Sequence, residues 1–334
     1  MTIPVTICDD STLARKQIVK SLPSNWDVEL TFATNGVEGL QAIKDGKAEV
    51  LFLDLTMPEM DGYEVLETIF KQQLKTMVIV ISGDIQKEAQ ERVASLGALS
   101  FIKKPADADQ LAMILDEYGL LAETTENTPQ SEQFLDNLNI PLRDSYREVA
   151  NVSMGKAAEI LARLLDAFIV LPIPSVNNIE VSDLQMALLA IENRDTVSSV
   201  CQGFIGNGIS GEALLIFNDS SFADIAKLMR FEGTLDENVE LELLMDIASI
   251  LIGAFLKTFA AQLDVQFSQG HPVILGRHCN IAELIHPENV SWKETLAIEI
   301  HYTIENYDVN CDLLILFSED SMEELNRRVS FYSS

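Results

Sequence analysis

"VLFLDLTMPEMDGYE" (residues 50–64) decides how the N-terminal part of the chain folds. Four apolar residues run into Asp54, Pro58 and the Asp61–Gly62 pair punctuate a turn, and a helical pattern follows from Tyr63. A short apolar run between turn signals reads as a strand buried on both faces. The same alternation extends outward on either side. Strands are expected at "PVTIC", "DVELTFA", "TMVIVIS" and "LSFIKK", with helices starting near Leu13, Gly36, Tyr63, Gln86 and Asp107. Strand–helix units of this kind predict an α/β fold, a doubly wound, flavodoxin-like, five-stranded parallel sheet.

Ligands of such sheets sit at the carboxyl ends of the strands. The first strand ends at Asp9 and Asp10, the third at Asp54, the fourth at Ser82, and the fifth at Lys104 followed by Pro105. Carboxylates gathered at one edge repel one another unless a cation joins them, and oxygen ligands suit Mg²⁺. A hydroxyl and an ammonium opposite them would hold phosphoryl oxygens. The segments "CDDS", "LDLTMPEMDGYE", "VISGD" and "FIKKP" together resemble the motifs of response-regulator receiver domains. The resemblance implies that Asp54 takes a phosphoryl group from a sensor histidine kinase. It also implies that Asp9, Asp10 and Asp54 bind Mg²⁺ with the backbone of Thr56, that Ser82 and Lys104 contact the phosphoryl oxygens, and that Phe101 rotates on phosphorylation. Ser82 and Phe101 stand where many relatives have Thr and Tyr, and Gly83 stands in place of a frequent Ala.

The formal net charge of −29, without a basic stripe, argues against a nucleic-acid or anionic-membrane partner. "MTIPVTICDD" lacks the pattern of a signal peptide, and "IASILIGAFL" (247–256) is too short to span a bilayer, so a soluble, cytoplasmic protein with no membrane insertion is expected. The four cysteines form no CxxC pair. His278, Cys279 and His286 fit no zinc spacing and are read as core or surface residues. "AETTENTPQSEQ" (122–133) has linker composition, and "FLDNLNIPL" (134–142) is apolar enough to dock on a domain. The expected organisation is a receiver domain at 1–121, a linker at 122–140, and a further domain at 141–334.

That further domain repeats itself. "DSYREVANVSMG" (144–155) aligns with "ELLMDIASILIG" (242–253), and Pro174 with Pro272, each pair 98 residues apart. "ALLIFNDSSFADIAKLM" aligns with "LLILFSEDSMEELNRRV" 100 residues later. Two units are implied, at about 141–236 and 237–334, each a helix, then strands, then a short helix. They are expected to pair about a pseudo-two-fold axis in one α+β domain.

On the opening helix, Asp144, Glu148 and Asn151 share one face. The pattern D-x₃-E-x₂-N-x₂₂-P, completed by Pro174, resembles the active-site signature of the CheC/CheX/FliY-type chemotaxis phosphatases. "NVSMGKAAEILARLL" and "GFIGNGISGEALLIF" are also similar to CheC sequences. Hydrolysis of an aspartyl phosphate needs an aimed water and little covalent help. An amide donates to and accepts from that water at once, so Asn151 is expected to orient it. The resemblance implies that Glu148 pairs with the lysine of the receiver being dephosphorylated. Asp144 is read as peripheral and Pro174 as structural, on a face open to a docking protein. In the second copy Asp246 is shorter than Glu, Ser249 reaches less far than Asn, and Glu242 leads, so a weak or inactive site is expected.

The function expected is a chemotaxis-type response regulator, phosphorylated on Asp54, whose CheC-like domain hydrolyses the aspartyl phosphate of a CheY-like receiver. The alternative is a signalling adaptor that only binds a CheY-like protein, a CheD-like protein or a flagellar switch component. The linker also permits the chain's own receiver to be a substrate, in cis or within a homodimer.

Overall fold

The computed structural model describes residues 2–121, 140–180, 196–279 and 294–332. Residues 122–139 of the expected linker, which take in 134–139 of the apolar docking segment, lie outside them, as does His286. Two compact units emerge, Met1–Glu148 and Val149–Ser334.

The first unit carries strands β1 (Ile3–Cys8), β2 (Val28–Ala33), β3 (Val50–Leu53), β4 (Met77–Ser82) and β5 (Ser100–Lys103). Between and after them lie helices α1 (Thr12–Ser21), α2 (Gly36–Lys44), α3 (Gly62–Gln72), α4 (Lys87–Ser95) and α5 (Ala108–Glu117). The sheet is wholly parallel in the order β2-β1-β3-β4-β5. Its alternating side chains divide between two cores. Leu51, Leu53, Val78 and Val80 pack with Leu40 and Ile43 of α2, Val65, Leu66 and Ile69 of α3, and Val93 of α4. Val50, Phe52, Ile79 and Ile81 pack with Ile18 and Val19 of α1 and Leu111, Ile114 and Leu115 of α5. Period-two alternation on a central strand thus requires helices on both faces. The first unit also takes in the opening turns of α6 (Leu142–Leu165).

The second unit continues α6 and adds β6 (Ile169–Val170), β7 (Ser175–Glu180), β8 (Val197–Gly206) and β9 (Ile209–Asn218). After these come α7 (Phe222–Leu228), α8 (Glu237–Gln262), β10 (Ser268–Gln269), β11 (Val273–Cys279), β12 (Glu294–Ile304), β13 (Asn310–Phe317) and α9 (Met322–Tyr332). The eight strands make one sheet ordered β10-β8-β9-β13-β12-β6, with β11 also on β8 and β7 also on β12. Among the described residues each repeat contributes a helix, four strands and a short helix. The central pair β9 and β13 is antiparallel, with Leu214 opposite Leu314. These two residues are each other's equivalents in the 100-residue repeat, so a pseudo-two-fold axis passes between them.

Asn207 and Gly208, both at positive φ, close the β8–β9 hairpin in two residues. Helix α8 buries Leu244, Leu251, Phe255 and Phe259, and the Phe259 ring lies 5.5 Å from that of Phe317 on β13. Gln262 of α8 donates to the Val149 carbonyl and to Ser153 Oγ of α6, each at 3.0 Å. No helix among the described residues is long and apolar enough to cross a membrane.

Phe52 is fully buried at the centre of the sheet, with its ring 6.2 Å from Trp26. Phe52→Ala is expected to remove ~3–5 kcal/mol of stability from the first unit, through lost transfer energy and the cavity left behind. Urea unfolding followed by Trp26 fluorescence measures it. A loss below ~1 kcal/mol would contradict this packing.

Candidate functional site

The carboxyl ends of β1, β3, β4 and β5 bring Asp9, Asp10, Asp54, Ser82 and Lys104 to one edge of the first unit. Asp9 follows β1, where its N–H donates to the Ala33 carbonyl at 3.0 Å and its Oδ1 accepts from Ser11 N at 2.8 Å. Ser11 in turn caps α1 through Ala14 N. The Asp54 N–H donates to the Cys8 carbonyl at 2.9 Å, which ties the ends of β3 and β1 together. The Lys104 N–H does the same between β5 and β4, donating to the Ser82 carbonyl at 2.9 Å.

The loop after Asp54 folds back tightly. A Cβ on Gly62 would lie 2.3 Å from the Asp54 carbonyl oxygen, so only glycine fits there. Asp61 and Glu64 then form a capping box that starts α3. These two devices account for "MDGYE" in the opening motif.

Lys104 is 4% exposed, and its Nζ lies 2.7 Å from Asp9 Oδ2, 3.1 Å from Asp54 Oδ2 and 3.5 Å from Glu148 Oε1. Burial alone would lower its pKa. The carboxylates of Asp54, Asp9 and Glu148 outweigh that and hold it well above the ordinary value. Burial raises Asp54 well above the usual carboxylate range. The Lys104 ammonium opposes this rise, while Asp9, Glu148 and Asp10 add to it. Burial likewise pushes Glu148 up to about 7, against Lys104 and a hydrogen bond from the Ser11 hydroxyl. Asp10 is raised by burial and by Asp9, and pairs with Arg147.

One ammonium among three buried carboxylates leaves excess negative charge. Asp9 Oδ2 and Asp54 Oδ2 are buried and share the single ammonium of Lys104, and ligand oxygens of Asp9, Asp10 and Asp54 lie within 4.8 Å of one another. This donor set is compatible with a divalent cation.

Ser82 is fully buried and its Oγ accepts from Asp84 N at 3.1 Å. Thr56 is half-buried in the loop after β3. Phe101, also half-buried, packs on the core formed by Val80, Val93 and their neighbours. Asp144 Oδ2 accepts from Leu13 N at 3.0 Å, which satisfies a free N–H in the first turn of α1. Pro174 is buried one residue before β7.

Glu148 and Asn151, one turn apart on α6, are 2% and 8% exposed. The expected open face is therefore covered, and for Glu148 the reason is Lys104 of the same chain. Their repeat equivalents Asp246 and Ser249, with Glu242, are exposed on α8. Among the described residues His278 belongs to no group of metal-ligating side chains. Its Nδ1 lies 2.9 Å from Asp219 Oδ2 and its Nε2 3.2 Å from Glu240 Oε2.

The sequence reading did not find Arg147 or Ser11. Arg147 lies three residues after Asp144 and four before Asn151, so helical spacing marks it as a neighbour of both. A search for acidic and amide residues alone passes over it. Also unforeseen is the group beside Ser82. Asp84 accepts from Gln86 Nε2 at 3.0 Å and from Tyr63 Oη at 3.3 Å.

Burial raises Asp84 from 3.8 to about 6, against the hydrogen bonds from Gln86 and Tyr63. A raised carboxyl pKa makes the folded state bind the proton more tightly, so stability falls as pH rises from about 4 through 6. Asp84→Asn keeps an acceptor and removes the titration. Its stability relative to wild type is expected to grow by up to ~3 kcal/mol across that interval. Denaturant titrations at pH 4, 5, 6 and 7 check this, and a pH-independent difference would refute it.

Residues 5–116 match the response regulator receiver domain. Protein-glutamate methylesterase/protein-glutamine glutaminase 3 of Geobacter sulfurreducens is 34% identical over 155 residues, covering 46% of this chain and 40% of that protein. The chain thus spans well under half the length of that relative. The crystal structure of FliY from Thermotoga maritima covers 59% of this chain and 99% of its own, at 16% identity and a TM-score of 0.46. A chain of the CheX-CheY-BeF3-Mg+2 complex from Borrelia burgdorferi covers 34% of this chain and 87% of its own, at 27% identity and a TM-score of 0.32. With its five-stranded parallel sheet and its acidic edge, the N-terminal part of this chain is a response regulator receiver domain.

Proposed function

We propose that this chain is a response regulator, phosphorylated on Asp54, that hydrolyses the aspartyl phosphate of receiver domains with Glu148 and Asn151. The observation that carries this reading is the 3.5 Å approach of Glu148 Oε1 to Lys104 Nζ. A phosphatase acting on a receiver needs a grip on the lysine beside the phosphorylated aspartate. Here a glutamate in the expected position holds such a lysine. The domain division at 1–121, 122–140 and 141–334 belongs to the same proposal.

In this reading the phosphoryl group comes from a sensor histidine kinase. Ser82 and Lys104 contact its oxygens, and Phe101 responds to it. Asp9, Asp10 and Asp54, with the backbone of Thr56, would hold Mg²⁺, which supplies positive charge opposite the phosphoryl oxygens. Glu148 anchors through the lysine. Asn151 donates to and accepts from the attacking water, and being neutral it does not repel the phosphoryl charge. One helix fixes both side chains, which supplies the orientation such chemistry requires. The substrate in trans is a CheY-like receiver.

A second reading, an adaptor that binds a CheY-like, CheD-like or flagellar switch partner without catalysis, draws on one observation. The altered copy of the signature (Asp246, Ser249) is exposed on α8, open to a protein partner.

The test uses an Asp54→Asn chain, which cannot itself be phosphorylated, mixed with a separate phosphorylated CheY-like receiver. Phosphate release is expected to rise about tenfold or more over the receiver alone. Adding Glu148→Ala and Asn151→Ala is expected to return it to the basal rate. Equal rates with and without those substitutions, together with measurable binding, would leave the adaptor.

A further inference from the structure

We propose that Arg147 is a built-in competitor of the divalent cation at Asp10, so that Mg²⁺ binding at the acidic edge detaches the opening turns of α6. The competition goes beyond the phosphatase reading and does not depend on it.

The observations that carry it all lie within the first compact unit. Ligand oxygens of Asp9, Asp10 and Asp54 lie within 4.8 Å of one another, so one cation can touch all three. Asp9 and Asp54 divide the ammonium of Lys104 between them, at 2.7 and 3.1 Å. Asp10 is instead paired with the guanidinium of Arg147. The nearby Arg15 is engaged elsewhere: it donates to the Asp9 carbonyl at 2.5 Å and to the Thr12 hydroxyl at 3.1 Å. Arg147 is therefore the guanidinium that a cation arriving at these carboxylates meets.

The two cannot share Asp10. Mg²⁺ takes oxygen ligands at about 2.0–2.1 Å in a near-ideal octahedron and keeps several waters. A guanidinium bonded to the same carboxylate occupies the room those waters need. It also sets a unit charge beside a double one, and that repulsion grows as the surroundings dry. Charge balance favours the exchange. Three aspartate carboxylates are neutralised by one ammonium and one dication. With Mg²⁺ present, neither Arg147 nor Glu148 is needed for neutrality. Without it, Arg147 supplies part of the missing positive charge.

The position of Arg147 makes the exchange consequential. Asp144, three residues earlier, accepts from Leu13 N at 3.0 Å, and Glu148, the next residue, lies 3.5 Å from Lys104. All three contacts belong to the first two turns of α6, so displacing the central guanidinium loosens the other two. Glu148 is then free to meet the lysine of a separate receiver, as trans action requires. That last consequence rests on the phosphatase reading.

The full-length, unphosphorylated chain is titrated with Mg²⁺ alone by calorimetry, and amide exchange is followed residue by residue with and without the cation. Arg147→Gln is expected to bind Mg²⁺ about tenfold more tightly than wild type, because no competing contact has to be displaced. Arg147→Lys keeps a charge opposite Asp10 and should stay near wild type. In wild type, Mg²⁺ should speed exchange of the Leu13 amide several-fold, since Asp144 is its acceptor. The Asp54 amide, held by the Cys8 carbonyl, is the internal reference and should not change. Equal affinity in wild type and Arg147→Gln would overturn the proposal. Weaker binding in Arg147→Gln would do so too, because the guanidinium would then support the site. A charge-blind result, with Arg147→Lys as tight as Arg147→Gln, counts against it equally. A Leu13 amide indifferent to Mg²⁺ would sink it whatever the affinities. Neither measurement uses phosphate release, so failure here leaves the phosphatase reading standing, and a chain without phosphatase activity can still pass both.

Discussion

The buried ammonium of Lys104 sets the terms for the first unit. It lies within 3.5 Å of carboxylates from Asp9, Asp54 and Glu148, with 4% of its own surface exposed. Burying charge costs several kcal/mol per ion, and excellent pairing returns that cost only in part. One cation among three anions is poor pairing by count. Burial first, and the neighbouring carboxylates after it, raise the proton affinity of Asp54 and Glu148 against the pull of Lys104, and the surplus negative charge leaves a demand for further positive charge at the edge. Arg147 meets part of that demand at Asp10. A divalent cation or a more compact charge arrangement would meet the rest. The apolar sheet beneath, with Val50 to Leu53 almost free of solvent, supplies the stability that lets so costly a cluster persist.

The sheet order also explains where the cluster forms. The strand order β2-β1-β3-β4-β5 reverses direction between β1 and β3. At that reversal the connections leave toward opposite faces, and a crevice opens beyond the strand ends. Asp9 and Asp54 flank it, joined by the hydrogen bond from Asp54 N to the Cys8 carbonyl. Lys104 enters from β5 and is tied to β4 by its own backbone. Each group is thus positioned by main-chain geometry rather than by side-chain packing.

The legibility of the sequence differed between its parts for physical reasons. The five strands and their helices could be read because buried parallel strands are short, apolar and bounded by turns. Asp9, Asp54, Ser82 and Lys104 could be placed because strand ends converge by rule. The repeat was visible because Gly155 and Gly253, and Pro174 and Pro272, keep register, and the Leu214–Leu314 pairing agrees with it. What could not be read was the covering of Glu148 and Asn151. An amphipathic face looks the same in sequence whether it meets water, another protein or its own chain. Arg147 was missed for a related reason: a basic residue beside a glutamate signals nothing until an acidic partner is placed opposite it. Asp84 resisted prediction because its unusual proton affinity comes from burial, and a strand-end loop gives no periodic clue to burial.

The duplicated helices show why residue identity is only half of such a site. Glu148 and Asn151 are buried, whereas Asp246 and Ser249 lie exposed. In water a carboxylate and an ammonium at contact gain about 1 kcal/mol, several times less than in a partly buried setting. An amide at the surface meets abundant water, but nothing restricts where that water sits. Buried, the same amide confronts few waters and holds each in a narrower range of positions, which is the preorganisation that lowers a barrier. Asp246 and Ser249 in the second copy thus stand on a face with nothing among the described residues to shelter them. The first copy carries both, and it is the copy whose glutamate lies against the buried Lys104.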